Sequence, residues 1–201
     1  WGEALRELTA ALTMGEKNGD ARRVQTFRVY QAWVHLHAQD FAGVLALCES
    51  LLPVLGDPVR SMWRRFCLVL AGTAATALGN YERTWRYLVT AREEMERQMV
   101  LLDWHCRLLL ESALTELWLA QGDLAQARPQ AERFLQVTQA TEGRTWQALA
   151  WEAHARVAEA EVRSLAVVPR SRVRVLARTR DDDLDLLAEA SVVVGVGTGV
   201  P

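Results

Sequence analysis

Through the first 161 positions, apolar residues recur at three- and four-residue spacings. Leu5, Leu8 and Leu12 share one helical face, with Glu3, Arg6 and Glu7 opposite. Phe27, Tyr30 and Val34 repeat the pattern, as do Leu114 and Trp118. A stripe of this period belongs to a helix that must bury one side against a partner. Strand-like alternation is almost absent from this stretch. The pattern predicts an all-α fold built from helix pairs.

A short turn signature punctuates the helical stretches. It reads Gln39-Asp40-Phe41, then Gly79-Asn80-Tyr81, then Gly122-Asp123-Leu124. Glycine after a helix supplies the left-handed cap. Asp or Asn beside it accepts from the free N–H groups of the next helix. The large third residue then wedges between the two helices. Small residues near the crossings, Ala4, Ala91, Ala127 and Ala131, let the axes approach. Loops between pairs are marked by Asn18-Gly19-Asp20, Gly56-Asp57-Pro58 and Glu142-Gly143.

The wedge positions Phe41, Tyr81 and Leu124 lie 40 and 43 residues apart, and Trp1 precedes Phe41 by 40. This phase divides the chain into a half repeat (1–19), repeats at about 20–56, 57–98 and 99–140, and a partial repeat (141–161). Trp1 then reads as the wedge of a repeat whose first helix is missing. A start at Trp, with no basic and hydrophobic leader, leads us to expect a segment of a longer protein without a signal peptide.

These residues resemble the tetratricopeptide repeat family. The turn glycine matches at Gly79 and Gly122, and Gln39 replaces it once. The turn aromatic matches at Phe41 and Tyr81. The small residue after the turn matches at Ala4 and Ala127, with Val44 and Thr84 elsewhere. The family's first-helix tryptophan matches Trp151, and the small residue four positions on matches Ala155, Ala32 and Gly72. Repeats of 40 and 43 exceed the usual ~34 and are similar to the long repeats of MalT-like bacterial regulators. The resemblance implies a right-handed helix-turn-helix solenoid.

Two local conflicts qualify the pattern. Pro129 falls inside the helix opened at Asp123, where an interior proline costs about 3 kcal/mol and predicts a kink or a shifted start. Residues 81–121 hold no Gly or Pro, so a break is expected near 97–103, capped by Asp103. Beyond 161 the pattern fails. Pro169 interrupts the second helix of a further pair, and residues 172–178 alternate with strand period. Residues 162–201 carry six basic and five acidic residues in blocks. They are expected to form an irregular tail.

Composition narrows the function classes. The 201 residues suggest one domain or a small domain with an appendage. Half are hydrophobic, which excludes wholesale disorder. The net charge of −2 supplies no bulk drive toward nucleic acid or anionic membrane. No run of 18 apolar residues occurs. Cys48, Cys67 and Cys106 lack zinc or disulfide spacing and read as buried, reduced thiols of a cytoplasmic protein.

Candidate chemistry is sparse. Val192 to Gly199 resembles a strand running into a phosphate loop, but no helix can follow before Pro201. Asp181, Asp183 and Asp185 have calcium-loop spacing, yet the sixth and twelfth positions are Leu186 and Val192. They read as a solvated helix start. His35 and His37 diverge on a helix, as do His105 and Cys106, and His154 stands alone. Arg22-Arg23, Arg64-Arg65 and the acidic Glu93, Glu94 and Glu96 read as solvated faces. No catalytic, cofactor or metal site is predicted.

Eight tryptophans are the unusual compositional feature. Trp1, Trp118 and Trp151 fall in inter-helix phases and are assigned to packing. The resemblance implies that the first helix of each pair lines a concave face. That places Val29, Trp33, His37, Val69, Thr73, Thr76, Ser112, Glu116, Glu152 and Arg156 as candidate partner contacts, with Trp33 as the leading one. Phe41, Gly79, Tyr81, Gly122, Asp123 and Ala127 are the repeat-turn residues. The expected function is non-enzymatic: a protein-interaction or self-association scaffold within a bacterial signalling or transcription-regulatory protein. The alternatives are a small-molecule sensor, or the regulatory arm of an ATPase, kinase or cyclase.

Overall fold

The structure is a computed structural model that describes residues 1–56, 62–100 and 103–166. Among these, eight α-helices and no strands form. They are α1 (Gly2–Lys17), α2 (Ala21–His37), α3 (Phe41–Leu51), α4 (Met62–Ala77), α5 (Tyr81–Arg97), α6 (Asp103–Gln121), α7 (Leu124–Gln139) and α8 (Arg144–Ala166). The described chain is all-α, in line with its apolar period. Trp1–Ala160 forms one compact unit. Of the second, Glu161–Pro201, the described part is the last stretch of α8. Among the described residues, no helix is long and apolar enough to cross a membrane.

Four junctions share one turn. Gly19, Gln39, Gly79 and Gly122 take φ of 65°, 62°, 74° and 71°. The N–H of each donates three residues back, and the following N–H donates five back, as in Gly122 to Leu119 O (3.1 Å) and Asp123 to Trp118 O (3.0 Å). This pair of bonds closes the orphan carbonyls of the ending helix. The next side chain caps the following helix. Asp20, Asp40, Asn80 and Asp123 accept from the N–H of Arg23, Gly43, Arg83 and Gln126 at 3.0–3.2 Å. Gly19-Asp20, expected as a loop between pairs, has the same geometry as the other three.

Helix α4 lies at the centre and packs on α2, α3, α5 and α6. Helix α2 touches α1, α3 and α4, which explains why its apolar residues are not confined to one stripe. Close approach is greatest between α4 and α5. A Cβ on Gly72 would sit 2.7 Å from Leu88 Cγ. Ala91, Ala127 and Ala131 are fully buried, and Ala4 is half-buried. Phe41 and Tyr81 pack against the main core, and the Tyr81 hydroxyl donates to Ala120 O (3.1 Å) at the end of α6. Helix α8 buries Ala150 and Ala153 with Phe134 and Leu108, and Val157 with Ala127 and Ala131.

Several sequence expectations are corrected. Trp1 and Trp151 are 65% and 56% exposed, so neither serves as a packed wedge. Ala155 is also exposed. The inward stripe of α8 is Ala150, Ala153 and Val157, with Trp146 partly buried on the same side, out of phase with Trp151. Pro129 is exposed, and α7 runs through it with its start still capped by Asp123. Residues 162–166 continue α8 as helix rather than beginning an irregular tail. The alternating 172–178 stretch, the aspartates 181–185 and the glycine-rich 192–199 stretch lie outside the described residues, as do Asp57 and Pro58.

Of the charged residues assigned to solvent, Arg22, Arg23, Glu93 and Glu96 are exposed, but Arg64, Arg65 and Glu94 are corrected. Arg65 is fully buried, and Glu94 is 3% exposed. Arg65 pairs with the Asp103 carboxylate and donates to Glu94 O (2.6 Å) and Gln98 O (2.7 Å). Arg64 pairs with Glu94 at 3.0 Å and donates to Leu52 O at 2.7 Å. Asp103 is therefore more than the expected cap. It lies within the first turn of α6, accepts from Val100 N–H (2.7 Å) and meets Arg65 from α4. Two cations and two carboxylates thus fasten the α5–α6 junction onto α4.

Candidate functional site

Aromatic side chains from four helices converge beside this junction. Helix α2 contributes Tyr30 and Trp33, α4 contributes Trp63 and Phe66, α6 contributes Trp104 and His105, and α8 contributes Trp146. Spacings of three on α2 and on α4 put each pair on one face. Trp33 meets the edge of Phe66 at 5.3 Å between centroids and His105 at 6.0 Å. Tyr30 meets Trp63 at 5.1 Å, and His105 meets Trp146 at 5.4 Å and stacks with Trp104 at 5.6 Å. Edge-to-face contacts of this kind are worth about 0.5–1.5 kcal/mol each beyond burial.

The rings line a partly open cavity of about 170 Å³ bordered by Tyr30, Trp33, Met62, Trp63, Phe66, Trp104, His105 and Cys106. None of these carries a carboxylate, ammonium or guanidinium. Burial holds the His105 imidazole below its ordinary value, and no neighbouring charge contributes to the shift. The imidazole is therefore neutral at pH 7. Its Nε2 is buried with no hydrogen-bond partner. The Cys106 thiol is pushed up to about 12 by burial and the nearby Asp103 carboxylate. It is protonated and poorly nucleophilic.

Among the sequence-predicted contacts, Trp33 borders the cavity. His37 is exposed, lies 5.7 Å from Trp33 and stacks on Trp1 at 5.3 Å. Val29 and Val69 are 0% and 1% exposed, which corrects their placement on a binding face. They are core residues. Thr73 is half-buried and bonds back to Val69 O (2.9 Å). Thr76 bonds back to Gly72 O (3.0 Å) and reaches Thr84 of α5 at 3.3 Å. Ser112 is half-buried, and Glu152 is exposed. Glu116 and Arg156 pair with each other across α6 and α8.

The sequence reading missed Trp63, Phe66, Trp104 and Trp146. The available signal was the tryptophan count together with the three-residue spacing of Trp63 and Phe66. His105 and Cys106 do both border the cavity, although adjacent on a helix. Two wider hollows open elsewhere. One of about 500 Å³ lies between Trp104 and the Thr141–Trp146 stretch, and one of about 490 Å³ lies where α1, α2 and α3 meet. Among the described residues, no three His, Cys, Asp or Glu side chains form a metal-holding group. No protein-family model, curated protein or solved structure matches the chain.

Proposed function

We propose that the chain is a non-catalytic protein-interaction module of the tetratricopeptide-like type. In this reading the helix pairs stack as a right-handed solenoid. The first helices α2, α4 and α6 then present the face on which a partner protein or another copy docks. The observation that carries the reading is the aromatic cluster these three helices bring around Trp33. Aromatic side chains in a desolvated pocket supply a disproportionate share of interface energy. The four repeated turns and the α2–α4–α6 adjacency support the solenoid arrangement. Three buried free thiols support a reducing compartment, the cytoplasm. A role in a bacterial signalling or transcription-regulatory protein rests on the repeat resemblance, and nucleic acid and membrane are not among the proposed partners.

The sensor alternative calls for an enclosed cavity of roughly 300–1,000 Å³. The aromatic cavity is smaller, and both larger hollows are open depressions, which favours docking over enclosure. The test is selection of peptides from a random display library on the immobilised protein. Selected peptides are expected to bind with micromolar affinity and to lose at least about tenfold on Trp33→Ala, the hot-spot scale. Peptides that bind both forms equally would remove Trp33 from the interface. Failure to select any binder would overturn docking by peptide segments. Sedimentation over a concentration series tests self-association.

A further inference from the structure

The proposed docking face leaves open what its cavity accepts, and three observations constrain that. The first is size. An apolar cavity of about 150 Å³ is known to stay dry and to take a benzene ring. The cavity here, about 170 Å³, matches one six-membered ring and falls well below a drug-sized pocket. The second is charge. No lining residue bears a charge, and burial alone accounts for the lowered proton affinity of His105. The charges beside Cys106, Asp103 and Arg65, are already paired with each other, so an entering ammonium or carboxylate would lose its hydration for little compensation. The third is the wall. Tyr30, Trp33, Trp63, Phe66 and Trp104 make five of its eight lining residues aromatic, and a further ring packs favourably edge-on or offset against such rings.

Resting on the docking reading, we infer that the cavity is a subsite for one uncharged phenyl ring, presented by the partner as a phenylalanine side chain. The faces of these rings also attract cations in principle. A cation cage draws on a carboxylate in its wall; the lining has none, and Asp103 beside Cys106 is taken up by Arg65. The open hollow bounded by Thr141, Glu142, Gly143 and Trp146 shares Trp104 with the cavity.

The test uses the full chain labelled with nitrogen-15 and follows the tryptophan indole N–H resonances. Three probes are titrated: toluene, N-acetyl-phenylalaninamide and tetramethylammonium. Toluene and N-acetyl-phenylalaninamide are expected to shift the Trp33 and Trp63 resonances saturably, and tetramethylammonium to leave them in place. Trp63→Ala, checked by circular dichroism, is expected to weaken both aromatic probes at least tenfold. If that variant does not fold, the order of the three probes on the unaltered chain decides. Tetramethylammonium binding more tightly than toluene overturns the inference, and so does the absence of a saturable toluene shift. Toluene binding without N-acetyl-phenylalaninamide binding overturns the side-chain source and assigns the cavity to a free aromatic molecule. Displayed peptides that depend on Trp33 yet contain no phenylalanine would sink this inference and leave the docking reading intact. Ring binding with no selectable peptide would overturn the docking reading and, with it, the partner's side chain as the source, and leave only a subsite for a free aromatic ring.

Discussion

Gln39 holds φ 62° in a turn whose other three members are glycines. A residue with a Cβ in this region costs roughly 1–2 kcal/mol, which glycine avoids. Gln39→Gly is therefore expected to raise stability by about 1 kcal/mol, or about 2–4 °C in Tm for a chain of this size. Gly122→Val runs the other way. Nothing lies within 4 Å of a Cβ at Gly122, so the loss of about 1–2 kcal/mol would come from the backbone alone. Thermal melts of the two variants check both signs. His105 gives a pH-dependent counterpart. Its folded pKa lies below the ordinary 6.5, so the unfolded chain binds the proton more readily. The stability tied to the neutral ring is fully present above 6.5 and declines as pH falls through the folded value. Between about pH 7 and pH 5, the unaltered protein is expected to lose more Tm than His105→Phe does. Equal losses would remove His105 as a source of acid sensitivity.

At the scale of elements, the α4–α5 crossing depends on a missing side chain. Gly72→Ala forces a Cβ into Leu88, which is fully buried and has little room to yield. Overpacking of this kind costs about 1–3 kcal/mol, and chemical denaturation reads it directly. The α5–α6 junction depends on charge. Removing one member of a buried pair leaves the other uncompensated, at a cost of about 3–5 kcal/mol. Arg65→Met alone is expected to show that loss, and Arg65→Met with Asp103→Leu to show a smaller one. A double variant as unstable as the sum of the singles would deny that the two side chains act as a pair. The helix ends were legible because Gly-Asp and Gly-Asn state their geometry locally. The Arg65–Asp103 pair was not, because its members stand 38 residues apart and meet only when α4 packs on α6. Helix α8 misled for a third reason. It carries two apolar stripes one register apart, and the tryptophan match selected the exposed one.

For the molecule as a whole, the candidate site was legible in composition more than in position. Eight tryptophans announced an unusual surface, and α2 pointed to Trp33, but its neighbours arrive from α4, α6 and α8. Such a cluster has no local pattern to read, since each helix supplies one or two rings and the packing does the rest. Val29 and Val69 failed as contacts for a related reason. A face assigned by analogy has a tolerance of one residue, and one residue on a helix is about 100° of rotation. The central position of α4 has a further consequence, in the order of opening. Its residues from Arg65 to Ala75 are buried almost without interruption, while among the described helices α1 packs on α2 alone. Amide hydrogens of α4 should therefore exchange with solvent only when the whole unit opens, and those of α1 through smaller local openings. Hydrogen-exchange mass spectrometry would then find its slowest peptides in α4, directly beneath the aromatic cavity. The floor of the proposed docking site would thus be the last part of the protein to come apart.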